Sequence, residues 1–151
     1  IQVNCSKFLI VRTSWLFSEF GRNFYSTVLE KLRSGQPVTV VDDQFGCPTY
    51  AGDIALRLMQ LLQYYSVHGS LNYGVYHLSG TPAVSWYQFA QVIAANHNLQ
   101  TGVTPASSAS WAANVKRPSY SVLDSSHFAA CFSLQALNWQ AALKQLAKEA
   151  Q

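Results

Sequence analysis

Charge of either sign is scarce in this sequence of 151 residues. Aspartate and glutamate number seven, lysine and arginine ten, and charged side chains make up 11% of the chain. A net charge of +3 with one adjacent basic pair, Lys116-Arg117, and no basic stripe excludes a nucleic-acid reader. Disorder is excluded too, because 49% of the residues are hydrophobic. So little charge implies that some apolar surface is covered by something outside the sequence. Cysteine is limited to Cys5, Cys47 and Cys131, with no C-x-x-C. That argues against a disulfide framework or a zinc knuckle and fits a reducing cytoplasm. Nothing resembles a signal peptide, and no apolar run reaches the roughly 18 residues of a membrane helix. The length suits one domain with its own core. The chain opens on Ile1 rather than Met, with an apolar strand close behind, as expected of a fragment.

The missing motifs narrow the chemistry further. There is no G-x-G-x-x-G to cradle a dinucleotide phosphate. No tyrosine is followed four places later by lysine, and S-x-x-K, G-x-S-x-G and H-E-x-x-H are absent. His68, His77, His97 and His127 lack ligand spacing, so no metal site is expected.

What is present reads as alternating strands and helices, hence α/β. Phe8 to Phe17 (FLIVRTSWLF) predicts a buried strand carrying RTSW to its C-terminal mouth, where ligands bind in open α/β sheets. Asn23 to Ser34 predicts a helix with Phe24, Val28, Leu29 and Leu32 on one face and Gly35 as its stop. Strands are expected at Val38–Val41 and Val75–Leu78, with shorter ones at Val103–Ala106 and Ser119–Leu123. Thr49 is expected to cap a helix running to Tyr65, with Ile54, Leu58, Leu61 and Leu62 inward. Ser85-x-x-Gln88 is a capping box, flanked by Val84 and Phe89 as a staple, for a helix reaching Asn96. Ser125 or Ser126 is expected to cap a brief helix, and Asn138 a last one carrying Trp139, Leu143 and Leu146 inward.

The remaining candidates bind rather than react. Trp15 at a strand mouth suits a sugar face and one N–H hydrogen bond; a core tryptophan fits the same position. Arg22 and Asn23, with the helix amides, suit an anion; a solvated arginine beside an ordinary cap is the alternative. Arg117, stiffened by Pro118, suits a diphosphate or a structural ion pair. Gln44 offers the donor and acceptor that a pyrimidine edge requires, and Asp53 suits the first turn of its helix.

Together, LIVRTSWLF, GRNF, VDDQFGCPTYAGDIA, GVYHLSG, VSWYQFAQVI, KRPSYSVLD and NWQAALKQL stand in the order and spacing of one family. Over essentially all 151 residues the sequence resembles the C-terminal part of dTDP-4-dehydrorhamnose reductases, of the extended short-chain dehydrogenase/reductase family. The resemblance implies the end of a Rossmann-type sheet plus a small α/β substrate-binding lobe across residues 1–151, the N-terminal NADPH-binding region lying upstream. It implies reduction of the 4-keto group of dTDP-4-dehydro-L-rhamnose by NADPH, or NADH, to dTDP-L-rhamnose. The tyrosine and lysine of that chemistry would also lie upstream, so this chain alone is expected to be inactive.

By the same resemblance, Trp15, Asn23, Gln44, Thr49 and Arg117 would contact the dTDP-sugar, and Thr13 and Ser14 would lie beside the nicotinamide. Pro48 would fix the loop that opens the segment VDDQFGCPTYAGDIA (the opening loop, Val41 to Pro48), Gly46 would admit close backbone approach, and Gln44 and Phe45 would face the dTDP. Some members hold magnesium at a homodimer interface, but the acids for it are not placed here. Two other readings stand beside this one: a non-catalytic regulatory subunit of the same fold, and a related nucleotide-sugar epimerase or dehydratase.

Overall fold

The computed structural model describes residues 1–99, 102–110 and 117–149, so Lys116 of the basic pair lies outside the described residues. The first half contains β1 (Leu9–Arg12), β2 (Leu16–Phe17), α1 (Phe24–Arg33), β3 (Val38–Val41), β4 (Phe45–Gly46), β5 (Thr49–Tyr50) and α2 (Ala51–His68). There follow β6 (Gly74–His77), β7 (Gly80–Thr81), β8 (Val84–Ser85), α3 (Trp86–Asn96) and β9 (Val103–Ala106). A 3-10 turn (Ser108–Ser110), α4 (Ser126–Phe132), β10 (Leu137–Asn138) and α5 (Trp139–Glu149) complete the α/β chain.

The strands form two-stranded ladders. β1 runs parallel to β6, β2 to β5, β3 to β9 and β7 to β10, while β4 is antiparallel to β8. The main core lies where α1, α3 and α5 meet β3. Tyr25, Val28, Leu29 and Leu32 come from α1, Phe89 and Ile93 from α3, and Trp139, Leu143 and Leu146 from α5. The inward residues expected for α5, and all but the half-buried Phe24 for α1, are buried. Trp139 is wholly enclosed and its indole N–H donates to the Pro82 carbonyl at 2.7 Å. Truncating it to alanine should cost about 3–5 kcal/mol. A second, smaller core joins Leu61, Tyr76, Leu78, Phe128 and Leu137.

The caps follow local chemistry. Asn23 caps α1 in a reciprocal box with Ser26, and Ser85 caps α3 in one with Gln88. Asn138 accepts from the amides of Gln140 and Ala141 at the start of α5. Gly35 and Gly69 follow α1 and α2 with positive φ, where a glycine carries no steric penalty.

Several expectations are corrected. The Phe8–Phe17 strand is broken at Thr13–Trp15, because Trp15 enters the left-handed region (φ +47°) and turns the chain from β6 toward β5. Thr49 does not cap α2. Tyr50 stands at the N-cap without a side-chain bond, and the helix runs on to His68. On α2 only Leu61 is buried and Ile54 is partly so; Leu58 and Leu62 are exposed. Periodicity marks an apolar stripe but not which part of it finds a neighbour. Ser125 stands at the N-cap of α4 without a side-chain bond, and Asp124 accepts the Ser126 amide instead. The segment Ser119–Leu123 makes a single bridge, Tyr120 to Phe45, rather than a strand.

Candidate functional site

The site is built around the break after β1. Trp15 turns outward there, and its carbonyl accepts the Thr49 amide at 3.1 Å. Its indole lies on that of Trp86, centroids 3.5 Å apart and planes 9° from parallel. A Cβ at Gly46 would fall inside the Trp15 ring, so glycine is required by close approach, here to an indole. Trp86 thus covers one face of the Trp15 indole, which remains half-buried.

The two carboxylates of the opening loop are structural clamps. Asp42 accepts from the Ser85 hydroxyl, tying the loop to the cap of α3. Asp43 accepts from the Ser108 amide at 2.9 Å and from the hydroxyls of Ser107 and Ser108 at 3.0 and 2.9 Å. The Ser108 amide, foremost among these donors, holds the Asp43 carboxyl below its ordinary pKa. Together the two acids brace the 3-10 turn and α3 against one loop.

Between these braced walls lies a groove of about 1060 Å³. α1 contributes Phe24, Thr27 and Lys31, and β3 contributes Val38 to Val41. Gln44, Trp86 and Arg117 to Tyr120 complete its rim with the 3-10 turn. Gln44 and Arg117, both singled out from the sequence, thus line the same groove. Lys31 adds a second cation. Trp86 also lines the groove, and nothing in the local sequence pattern marks it for that place.

Other candidates serve the scaffold in this geometry. Thr49 is wholly buried; its hydroxyl donates to the Cys47 carbonyl at 3.2 Å and accepts the Gly80 amide at 3.0 Å. Asn23 accepts the Ser26 amide through Oδ1, and its Nδ2 donates to the carbonyls of Ser18 and Phe20 at 2.8 and 3.3 Å. Ser14 donates to the Cys47 carbonyl at 3.2 Å. Thr13 differs: its Oγ1 is buried with no hydrogen-bond partner among the described residues. Such a group costs about 1–3 kcal/mol unless something satisfies it.

Burial pushes the Cys47 thiol up, which makes it inert packing rather than a nucleophile. Among the described residues, no three His, Cys, Asp or Glu side chains cluster to hold a metal ion. Nor is any helix there long and apolar enough to cross a membrane.

Comparison with known proteins places these features in a family. The family profile described as RmlD substrate binding domain matches residues 1–151. The dTDP-4-dehydrorhamnose reductase of Aggregatibacter actinomycetemcomitans is 40% identical over 149 residues, covering 93% of this chain and 50% of its own. The crystal structure of the Bacillus anthracis dTDP-4-dehydrorhamnose reductase in complex with NADP matches 99% of this chain and 51% of its own. Its TM-score is 0.85 at 32% identity. A Clostridium acetobutylicum ortholog gives a TM-score of 0.86 at 29% identity, with the same coverage. The chain spans about half the length of the curated relatives it matches. With a matching profile from end to end and the α/β architecture of those reductases over half their length, the chain belongs to the RmlD substrate binding domain family.

Proposed function

We propose that this chain is the C-terminal, nucleotide-sugar-binding portion of an NAD(P)H-dependent dTDP-4-dehydrorhamnose reductase. In the whole protein, hydride from NADPH (or NADH) would reduce the 4-keto group of dTDP-4-dehydro-L-rhamnose to dTDP-L-rhamnose. The observation that carries the reading is the groove whose lining includes Gln44, Lys31 and Arg117. An amide and two cations along one groove suit a pyrimidine edge and a diphosphate.

The cofactor reading rests on Thr13, whose buried hydroxyl has no partner among the described residues at the mouth of β1 and suits a polar group of a bound dinucleotide. Ser14 would position that strand end through its bond to Cys47. Trp15 would act from behind Trp86, Asn23 by shaping the entry to α1, and Thr49 by pinning the loop floor. The glycine-rich turn and the tyrosine–lysine pair would come from the upstream half. The test is titration of the full-length protein with dTDP and UDP, followed by an NADPH oxidation assay with the 4-keto sugar. Selective dTDP binding with turnover supports the reading. Equal binding of UDP, or dTDP binding without NADPH oxidation, argues for the epimerase or regulatory alternative.

A further inference from the structure

α2 carries an apolar stripe that its own chain leaves open. From Leu58 to Val67 it holds no charged residue, and Leu58, Leu62 and Tyr65 are 42%, 60% and 45% exposed. At 3.6 residues per turn, the order round the helix is Arg57, then Leu61 and Ile54, then Tyr65, Leu58 and Leu62. Leu61 and Ile54 enter the second core with Leu9 and Val11 of β1 and Tyr76 of β6. The exposed stripe therefore continues the buried one along a single flank. On the other flank, Arg57 donates to the Gln135 carbonyl at 3.0 Å. Gln135 follows α4, whose Phe128 and Phe132 rings pack on Tyr76 of β6. The chain's own elements thus fill the β6 side of α2, and the stripe looks to the β1 side.

On that side β1 has a free edge. Among the described residues it pairs with β6 alone. A parallel pair is stable only as part of a wider sheet with covered faces. Relatives matching this chain are about twice its length, which is enough chain to supply the missing strands. Parallel strands are joined by right-handed crossovers that lay helices on the sheet. A helix over the strand next to β1 would lie in the layer of α2, with axes about 8–10 Å apart. We infer that Leu58, Leu62 and Tyr65 form the docking surface for such a helix, supplied by the upstream half of the protein. The stripe is uncharged, so the partner face must be apolar. It lies between the buried line and the outermost one, Ala55, Met59 and Ser66, which suits a neighbour in the same layer rather than a second copy arriving from outside. The inference rests on the reading of this chain as the C-terminal portion of a longer reductase and adds the surface that joins the halves.

The test places single thiols on α2 of the full-length protein: Leu58→Cys and Leu62→Cys on the stripe, and Val67→Cys as a control on another side, where the residue is 76% exposed. Maleimide labelling is followed by mass spectrometry of the α2 peptide, so that Cys5, Cys47 and Cys131 do not interfere. In the folded protein the stripe thiols should react about tenfold more slowly than the control, or slower still, and in denaturing urea all three should react alike. Leu58→Cys supplies the answer if Leu62→Cys does not fold. Within the 151 residues by themselves Leu62 is exposed, so protection at position 62 reports the upstream half. Two results overturn the inference: stripe thiols that label as fast as the control, or protection that disappears on dilution, which would make a second copy the occupant. Equal labelling in a protein that binds dTDP overturns the docking surface alone. Protection in a protein that does not bind dTDP supports the surface and overturns the nucleotide-sugar reading instead.

Discussion

Replacing Thr49 by valine separates a structural threonine from a ligand-binding one. The side chains are nearly isosteric, and the site is wholly buried, so the change removes a hydroxyl without opening a cavity. Two bonds disappear. The Cys47 carbonyl loses one donor but keeps the Ser14 hydroxyl at 3.2 Å, so it stays satisfied. The Gly80 amide loses the acceptor it has at 3.0 Å and is left buried without one. An orphaned buried donor costs about 1–3 kcal/mol. For a chain of this size, with a urea slope of about 2 kcal/mol per molar, a loss near 2 kcal/mol moves the midpoint down by about 1 M. Thr49→Ser keeps the hydroxyl and loses one methyl, about 1 kcal/mol. Ser14→Ala should be mild alone, because Thr49 still serves Cys47. Combined with Thr49→Val it should cost more than the sum, as both donors to one carbonyl are gone. Urea unfolding followed by tryptophan fluorescence reads all four variants. A Thr49→Val midpoint equal to the wild type would refute the reasoning and return Thr49 to the list of ligand contacts.

Further outcomes follow from the same contacts. Gly46→Ala should destabilise by about 1–3 kcal/mol through overpacking, since its Cβ meets the Trp15 indole, and should change the near-UV circular dichroism of the Trp15–Trp86 stack; an unchanged spectrum and midpoint would contradict the packing. Ser85→Ala should cost about 1 kcal/mol or more, because it removes both the cap of α3 and the partner of Asp42, measurable as a lower urea midpoint. His97 accepts or donates at 3.0 Å to the Tyr25 hydroxyl, and burial, helped by Arg33, pushes its pKa down from the ordinary 6.5. The folded state thus disfavours the proton, so stability should be full above pH 6.5 and decline as pH falls below it, a slope that His97→Gln should flatten in urea titrations across that window. Leu62→Lys should change stability by less than about 0.5 kcal/mol despite its place in an apolar stripe, because Leu62 is exposed; a larger loss would mean that α2 is packed there.

Local chemistry was legible in the sequence wherever it is settled within a few residues. The Ser85–Gln88 capping box is of this kind. So are the stop at Gly35, which takes a positive φ, and the inward faces of α1 and α5. In the same way the order of RTSW, the opening loop and the Arg-Pro segment was enough for the family resemblance. Tertiary structure alone decided the rest, because those outcomes depend on partners far along the chain. Thr49 looked like a cap by position, but Gly80, 31 residues on, claims its hydroxyl. Leu58 and Leu62 share a stripe with Leu61, yet only Leu61 meets the second core. The carboxylates of the opening loop were visible, but their service to Ser85 and Ser107–Ser108 was not. Trp15 carried the sequence signal, while its left-handed backbone laid its indole on that of Trp86, a residue lining the groove. Hydrogen-bond donors and ring faces are spent once, and which partner takes them is settled only when the chain has folded.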